Sequence, residues 1–129
     1  MYYDLDILEE LSKELGFPSS RSAPDALEVA ILEGVSLEFH NLRDAEDTLA
    51  GFSGTQWHFH GKIMLMTGDA TYVELDELEI LQGIKSGAVL VAEQYLNGTL
   101  NDRWLAHKDE KVDVQYIAPG EEIRFRRLA

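Results

Sequence analysis

The sequence predicts an α+β fold, a mostly antiparallel β-sheet of about six to eight strands with two amphipathic helices packed on it. Three observations predict it. Leucines recur at three- and four-residue steps near residues 5–15 and again near 75–86, the period of a helix with one apolar face. Much of the remainder alternates apolar and polar residues at a period of two, as strands with one buried face do. The glycine-bearing pairs Glu33-Gly34 and Asn97-Gly98 interrupt the alternation, and strands joined by such tight turns run antiparallel.

Asp4 is placed to cap the first helix. Leu5, Leu8, Leu11 and Leu15 follow on one face, with Ile7 widening the stripe, and Asp6, Glu9, Glu10 and Glu14 cover the other. Gly16 and then Pro18 stand where a helix of this length stops. Residues 17–24, rich in serine and proline, read as a loop. Leu27, Val29 and Ile31, then Val35, Leu37 and Phe39, alternate with polar or small residues on either side of Glu33-Gly34, which makes a hairpin. A helix starting at Pro24 is the competing reading of residues 25–33. Residues 41–56 hold several acids, Gly51 and Gly54, and read as a loop with one helical turn.

A strand is expected from Trp57 to Met66, with Trp57 and Phe59 on one face and His58 and His60 on the other. Thr67-Gly68-Asp69 turns the chain towards a short strand at Thr71–Val73. Leu75, Leu78, Leu81 and Ile84 then define the second helix over residues 75–86, with Gly83 an unfavourable residue inside it and Gly87 at its end. Asn97-Gly98 joins strands at 88–96 and 99–106 through a type I′ turn, since these residues tolerate two positive φ angles. Val112, Val114 and Tyr116 alternate, Pro119-Gly120 turns the chain, and Ile123 and Phe125 complete a last hairpin with Arg124 and Arg126 on its opposite face.

A chain of 129 residues fits one domain, 1–129. It has no cysteine, which excludes disulfides, thiolate metal sites and a catalytic thiol. The N-terminal residues lack the basic and apolar regions of a signal peptide, and no apolar run approaches the ~20 residues of a membrane span. The expected location is the cytoplasm.

Charge is the strongest compositional signal. There are 24 acidic and 11 basic residues, a net charge of -13. The imbalance falls mainly in residues 1–50, with 12 acids and 3 bases, whereas residues 107–129 carry 5 of each. Such a surface repels phosphate backbones and anionic lipids, which argues against direct nucleic-acid or membrane binding. It attracts a basic partner and speeds the encounter.

Catalytic motifs are missing. No serine sits in a Gly-x-Ser-x-Gly elbow, and neither Gly-x-Gly-x-x-Gly nor a Walker A pattern is present. With 24 carboxylates the sequence selects no acid–base pair. No catalytic residue and no cofactor is assigned on these grounds. His58 and His60 are the one metal-ligand spacing: two histidines one residue apart on a strand can reach a single ion, with His40, His107 or Glu38 as a third ligand. The pair resembles the His-x-His of cupins, but Gly61-Lys62-Ile63-Met64-Leu65 lacks the glutamate that follows it there.

Two acidic groups complete the inventory. Asp44, Glu46 and Asp47 lie in the expected loop, and Glu74, Asp76 and Glu77 gather at the start of the second helix. Acids near a helix N-terminus favour its dipole, which accounts for Asp76 and Glu77 locally but not for the loop group. Both groups are assigned to a partner-binding face. In size, charge and general architecture the chain resembles bacterial immunity proteins. The resemblance implies an inhibitor that neutralises a basic, nuclease-like toxin, since a nuclease is basic where it holds phosphates. Two other functions compete: a scaffold domain forming a homo-oligomer such as a homodimer through a sheet edge, and a small metal-dependent enzyme using His58 and His60.

Overall fold

A computed structural model of the protein describes residues 2–68, 70–110 and 118–128. Helix α1 spans Leu5–Glu14. The Asp4 carboxylate accepts from the Ile7 N–H at 3.2 Å, satisfying a donor that the first turn leaves free. At the other end Gly16 takes φ +83°, and its N–H and that of Phe17 donate back to the carbonyls of Lys13 and Ser12. This is a Schellman closure, the reason a glycine stands there. Leu5 and Leu8 are buried on the inner face.

Strands β1 (Ser19–Ala23), β2 (Ala26–Leu32), β3 (Val35–Leu42), β4 (Asp47–Phe52) and β5 (His58–Phe59) follow, with a single 3-10 turn at Arg43–Ala45 between β3 and β4. They form one five-stranded sheet in sequence order, each neighbour antiparallel. The hairpin expected around Glu33-Gly34 is β2–β3. Two segments expected to be loops are strands instead. β1 is a polar edge strand with four of its five residues exposed, so its ladder is set by backbone pairing rather than by an apolar face. β4 buries Thr48, Ala50 and Phe52, and it tolerates Gly51 because a Cβ there would stand 2.8 Å from the Trp57 carbonyl oxygen.

The strand expected over Trp57–Met66 is broken. β5 ends at Phe59, Gly61 turns the chain with φ +65°, and β6 (Ile63–Gly68) pairs with β7 (Thr71–Leu75) as a separate two-stranded sheet. Asp69, expected in a turn, lies outside the described residues. Helix α2 spans Glu77–Ser86. Asp76 is its N-cap and Glu79 completes a capping box, with the Glu79 N–H donating to Asp76 at 2.8 Å and the Asp76 N–H to Glu79 at 3.1 Å. Gly83 is not a defect here: a Cβ on it would meet Val89 Cγ2 at 2.5 Å, so the glycine lets α2 approach the next strand closely.

Strand β8 (Val89–Leu96) lies between β9 (Thr99–His107) and β10 (Glu121–Arg126) in a three-stranded antiparallel sheet. Asn97 and Gly98, at φ 51° and 83°, form the expected positive-φ turn. The last strand pairs with β8. The alternating run Val112, Val114 and Tyr116, expected to be its hairpin partner, lies outside the described residues. The protein is therefore α+β with antiparallel strands and two helices, but its ten described strands divide into sheets of five, three and two in place of the six to eight expected in one. The sequence pattern gives the period of the apolar strands, while the division depends on the chain breaks at Gly61 and α2.

One core joins the parts. Leu8 of α1, Leu27, Ile31, Leu37 and Phe39 of the large sheet, Ile80, Leu81 and Ile84 of α2, and Val89, Val91 and Leu105 of the small sheet belong to one buried apolar cluster. At its edge Glu93, 2% exposed, meets Arg103 Nε at 2.8 Å and Arg126 Nη1 at 3.5 Å. Arg126 also donates to the Glu33 carbonyl at 2.8 Å, tying β10 to the β2–β3 turn. A carboxylate this deep requires such partners. No helix among the described residues is long and apolar enough to cross a membrane.

Candidate functional site

The acids assigned from sequence fall on two features, the β3–β4 connection and the junction of β7 with α2. Asp44 and Glu46 are exposed on the β3–β4 connection, and Glu46 caps its 3-10 turn in the left-handed region at φ 53°. Asp47 begins β4. Its carboxylate accepts from the Thr48 N–H at 2.8 Å and lies 3.2 Å from His60 Nδ1. Glu74 is exposed on β7 and pairs with Lys62 at 3.7 Å. Asp76 is the α2 cap and Glu77 stands in its first turn. Three of the six acids thus have local tasks: Asp47 holds a turn, Glu74 pairs with a lysine, and Asp76 caps a helix. Asp44, Glu46 and Glu77 make no side-chain hydrogen bond or ion pair among the described residues.

Tyr3 is buried and feels a charge from each group. Its ring is 5% exposed and sits edge-on to Phe39, centroids 5.4 Å apart. Its backbone is pinned by Asn41, whose Oδ1 accepts from the Tyr3 N–H at 2.8 Å and whose Nδ2 donates to the Tyr3 carbonyl at 3.0 Å. The hydroxyl donates to the Gly61 carbonyl at 2.9 Å. Burial raises its pKa to about 12; the negative charges of Glu77 and Asp47 push the same way, against hydrogen bonds with Thr48 and Gly61. One acid from each group therefore acts electrostatically on the same phenol.

The histidines sit beside this region. His58, in β5, and His60, just beyond its end, are exposed, with rings 5.2 Å apart and edge to face. His58 Nδ1 lies 3.0 Å from the Gln56 carbonyl, and His60 Nδ1 bonds the Thr48 carbonyl. Each ring is thereby held by Nδ1, leaving Nε2 as the outward atom. Of the third ligands considered, Glu38 and His40 line one groove with His58, where His40 Nε2 is 3.4 Å from Glu38, whereas His107 Nδ1 is 3.7 Å from Asp109. Among the described residues no group of three His, Cys, Asp or Glu is arranged to hold a metal ion.

Sequence reasoning missed a further surface. Met64, Met66 and Tyr72 are 62%, 37% and 56% exposed. The register places Met66 opposite Tyr72 and Met64 opposite Glu74, so all four side chains share the outer face of β6–β7. This face adjoins a groove of ≈ 370 Å³ walled by Trp57, Trp104, Leu105 and Glu110. Burial in that wall pushes the Glu110 carboxyl above its ordinary value, against the opposing pull of His107. The signal was present in the run Ile63-Met64-Leu65-Met66: four consecutive apolar residues on a strand leave two facing outward.

Compared with protein-family models, curated proteins and solved structures, the chain matches none.

Proposed function

We propose that the protein is an acidic protein-binding domain that neutralises a basic partner, as an immunity-type inhibitor neutralises a nuclease-like toxin in the cytoplasm. The observation that carries this reading is the β3–β4 connection, where Asp44, Glu46 and Asp47 are all exposed on a segment that contributes no side chain to the core. On a chain of net charge -13 these acids favour contact with a cationic surface. Glu77, acting on the same phenol as Asp47, extends the negative field to the start of α2, where Asp76 and Glu74 add to it. A basic partner is steered to such a face, and rim charges of this kind act mainly on association rate.

The test starts with capture of the partner from the source cell. Its association with wild-type protein is then compared with that of a variant carrying Asp44→Lys, Glu46→Lys and Asp47→Asn. Asparagine at 47 keeps an acceptor for the Thr48 N–H. The variant should associate more slowly and with weaker salt dependence. A captured partner that is itself acidic, or a tight homodimer with no other partner, would replace this reading with the scaffold one.

A further inference from the structure

Interfaces that hold combine a charged rim with an apolar centre. The rim sets encounter and specificity, and a few large side chains, among them Met and aromatics, supply most of the affinity. The acids of the proposed face provide only the first. The β6–β7 hairpin presents the second directly beside them. Its inner face, Ile63 and Leu65, is buried in the core. Its outer face carries Met64, Met66 and Tyr72, which the fold does not use. Single exposed hydrophobics are ordinary, but contiguous ones on a rigid sheet mark a contact surface. β7 then runs from Tyr72 through Glu74, on the same face, into the Asp76 cap and Glu77, so apolar and acidic surfaces are continuous along one strand.

We infer that the outer face of β6–β7, with the groove beside Trp57 and Trp104, is the apolar anchor site for a basic amphipathic segment of a partner protein. Charge selects this occupant. A second copy of the chain would bring two bodies of net charge -13 together, and like-charged juxtaposition is unfavourable. A segment with Lys or Arg flanking apolar anchors places its cations against Glu74 and Glu110 and its apolar residues against the methionines. Lys62 pairs with Glu74 at 3.7 Å, but both side chains are more than half exposed. An incoming cation can exchange with such a weak pair. Methionine suits the task, because its unbranched thioether repacks around different anchors. The inference rests on the basic-partner reading and adds where its affinity resides.

The chain has three methionines, Met1, Met64 and Met66, so methyl-labelled methionine gives three NMR signals of which two report on this face. The protein is titrated with a synthetic amphipathic Lys/Leu peptide, a Lys/Gly peptide of equal charge, and a Glu/Leu peptide. The Lys/Leu peptide should shift the Met64 and Met66 methyls, and Met64→Ser with Met66→Ser should weaken its binding about tenfold or more, with an unchanged melting temperature showing that the variant folds. The Lys/Gly peptide should bind through the acids without moving those methyls, and the Glu/Leu peptide should not bind. If the Lys/Leu peptide leaves both methyls unmoved, the anchor site is overturned while the acidic face stands. If the Glu/Leu peptide moves them equally well, or binding ignores salt, the face is apolar only and the basic-partner reading fails with it. Methyl shifts that depend on protein concentration alone would assign the face to a second copy and overturn the inference.

Discussion

The hairpins β2–β3 and β6–β7 both turn one apolar face to the core, and they differ in what they turn outward. On β2–β3 the inner residues Leu27, Val29, Leu37 and Phe39 are buried, and the opposite face carries Glu28, Ser36, Glu38 and His40. Folding alone explains that arrangement: a half-buried antiparallel sheet needs one apolar face and one wetted face. On β6–β7 the inner residues Ile63 and Leu65 are buried, yet Met64, Met66 and Tyr72 stand outward and exposed. None of the three belongs to the buried core cluster. The difference separates residues selected by the fold from residues that another molecule explains.

Mutations in the two hairpins should differ in their effects. The largest effect is expected inside the first hairpin. Phe39→Ala removes a fully buried ring beside Tyr3 and should cost roughly 3–5 kcal/mol, read by chemical denaturation. A cost near zero would mean that the core does not rest on this sheet. Gly98→Val forces a β-branched residue to φ +83° and should cost about 1–2 kcal/mol; an unchanged melting temperature would deny the type I′ turn.

Smaller effects sharpen the contrast between outer faces. Glu28 and Glu38 stand directly opposite each other on β2 and β3. Glu28→Lys turns this like-charged pair into an attractive one and should stabilise by about 0.2–1 kcal/mol. A loss of stability would show that the outer face of β2–β3 is also reserved for something besides folding. Met64→Ala, at a position 62% exposed, should change stability by less than about 0.5 kcal/mol. A substantial loss in denaturant titration would make the methionine structural and remove the contrast.

Much of this architecture was legible in the sequence. Asp4, the leucine steps and Gly16 delimit α1, and the leucine steps and Gly87 mark α2, whose start falls at the Asp76 cap and not at Leu75. Caps and closures are local chemistry, and Gly34 and Asn97-Gly98 mark their hairpins for the same reason. β1 was hidden because an edge strand of serine and arginine carries no apolar period. β4 was hidden by Gly51, whose role depends on the Trp57 backbone of a neighbouring strand. Gly83 read as a flaw because its partner, Val89, approaches only in three dimensions. Within the candidate site the acids were visible, but the pairing of Asp47 with His60 and the shared effect of Asp47 and Glu77 on Tyr3 are tertiary. The outward methionines were visible as letters, and only the register of β6 with β7 shows that they form a face.

The measurement closest to the central claim is the association rate of the captured basic partner at low and at physiological salt, for wild type and for the Asp44→Lys, Glu46→Lys, Asp47→Asn variant. The account predicts slower association of the variant at low salt, a flattened salt dependence, and a dissociation rate close to wild type, as expected for charges at a rim. Equal association rates for the two proteins at both salt concentrations would contradict it.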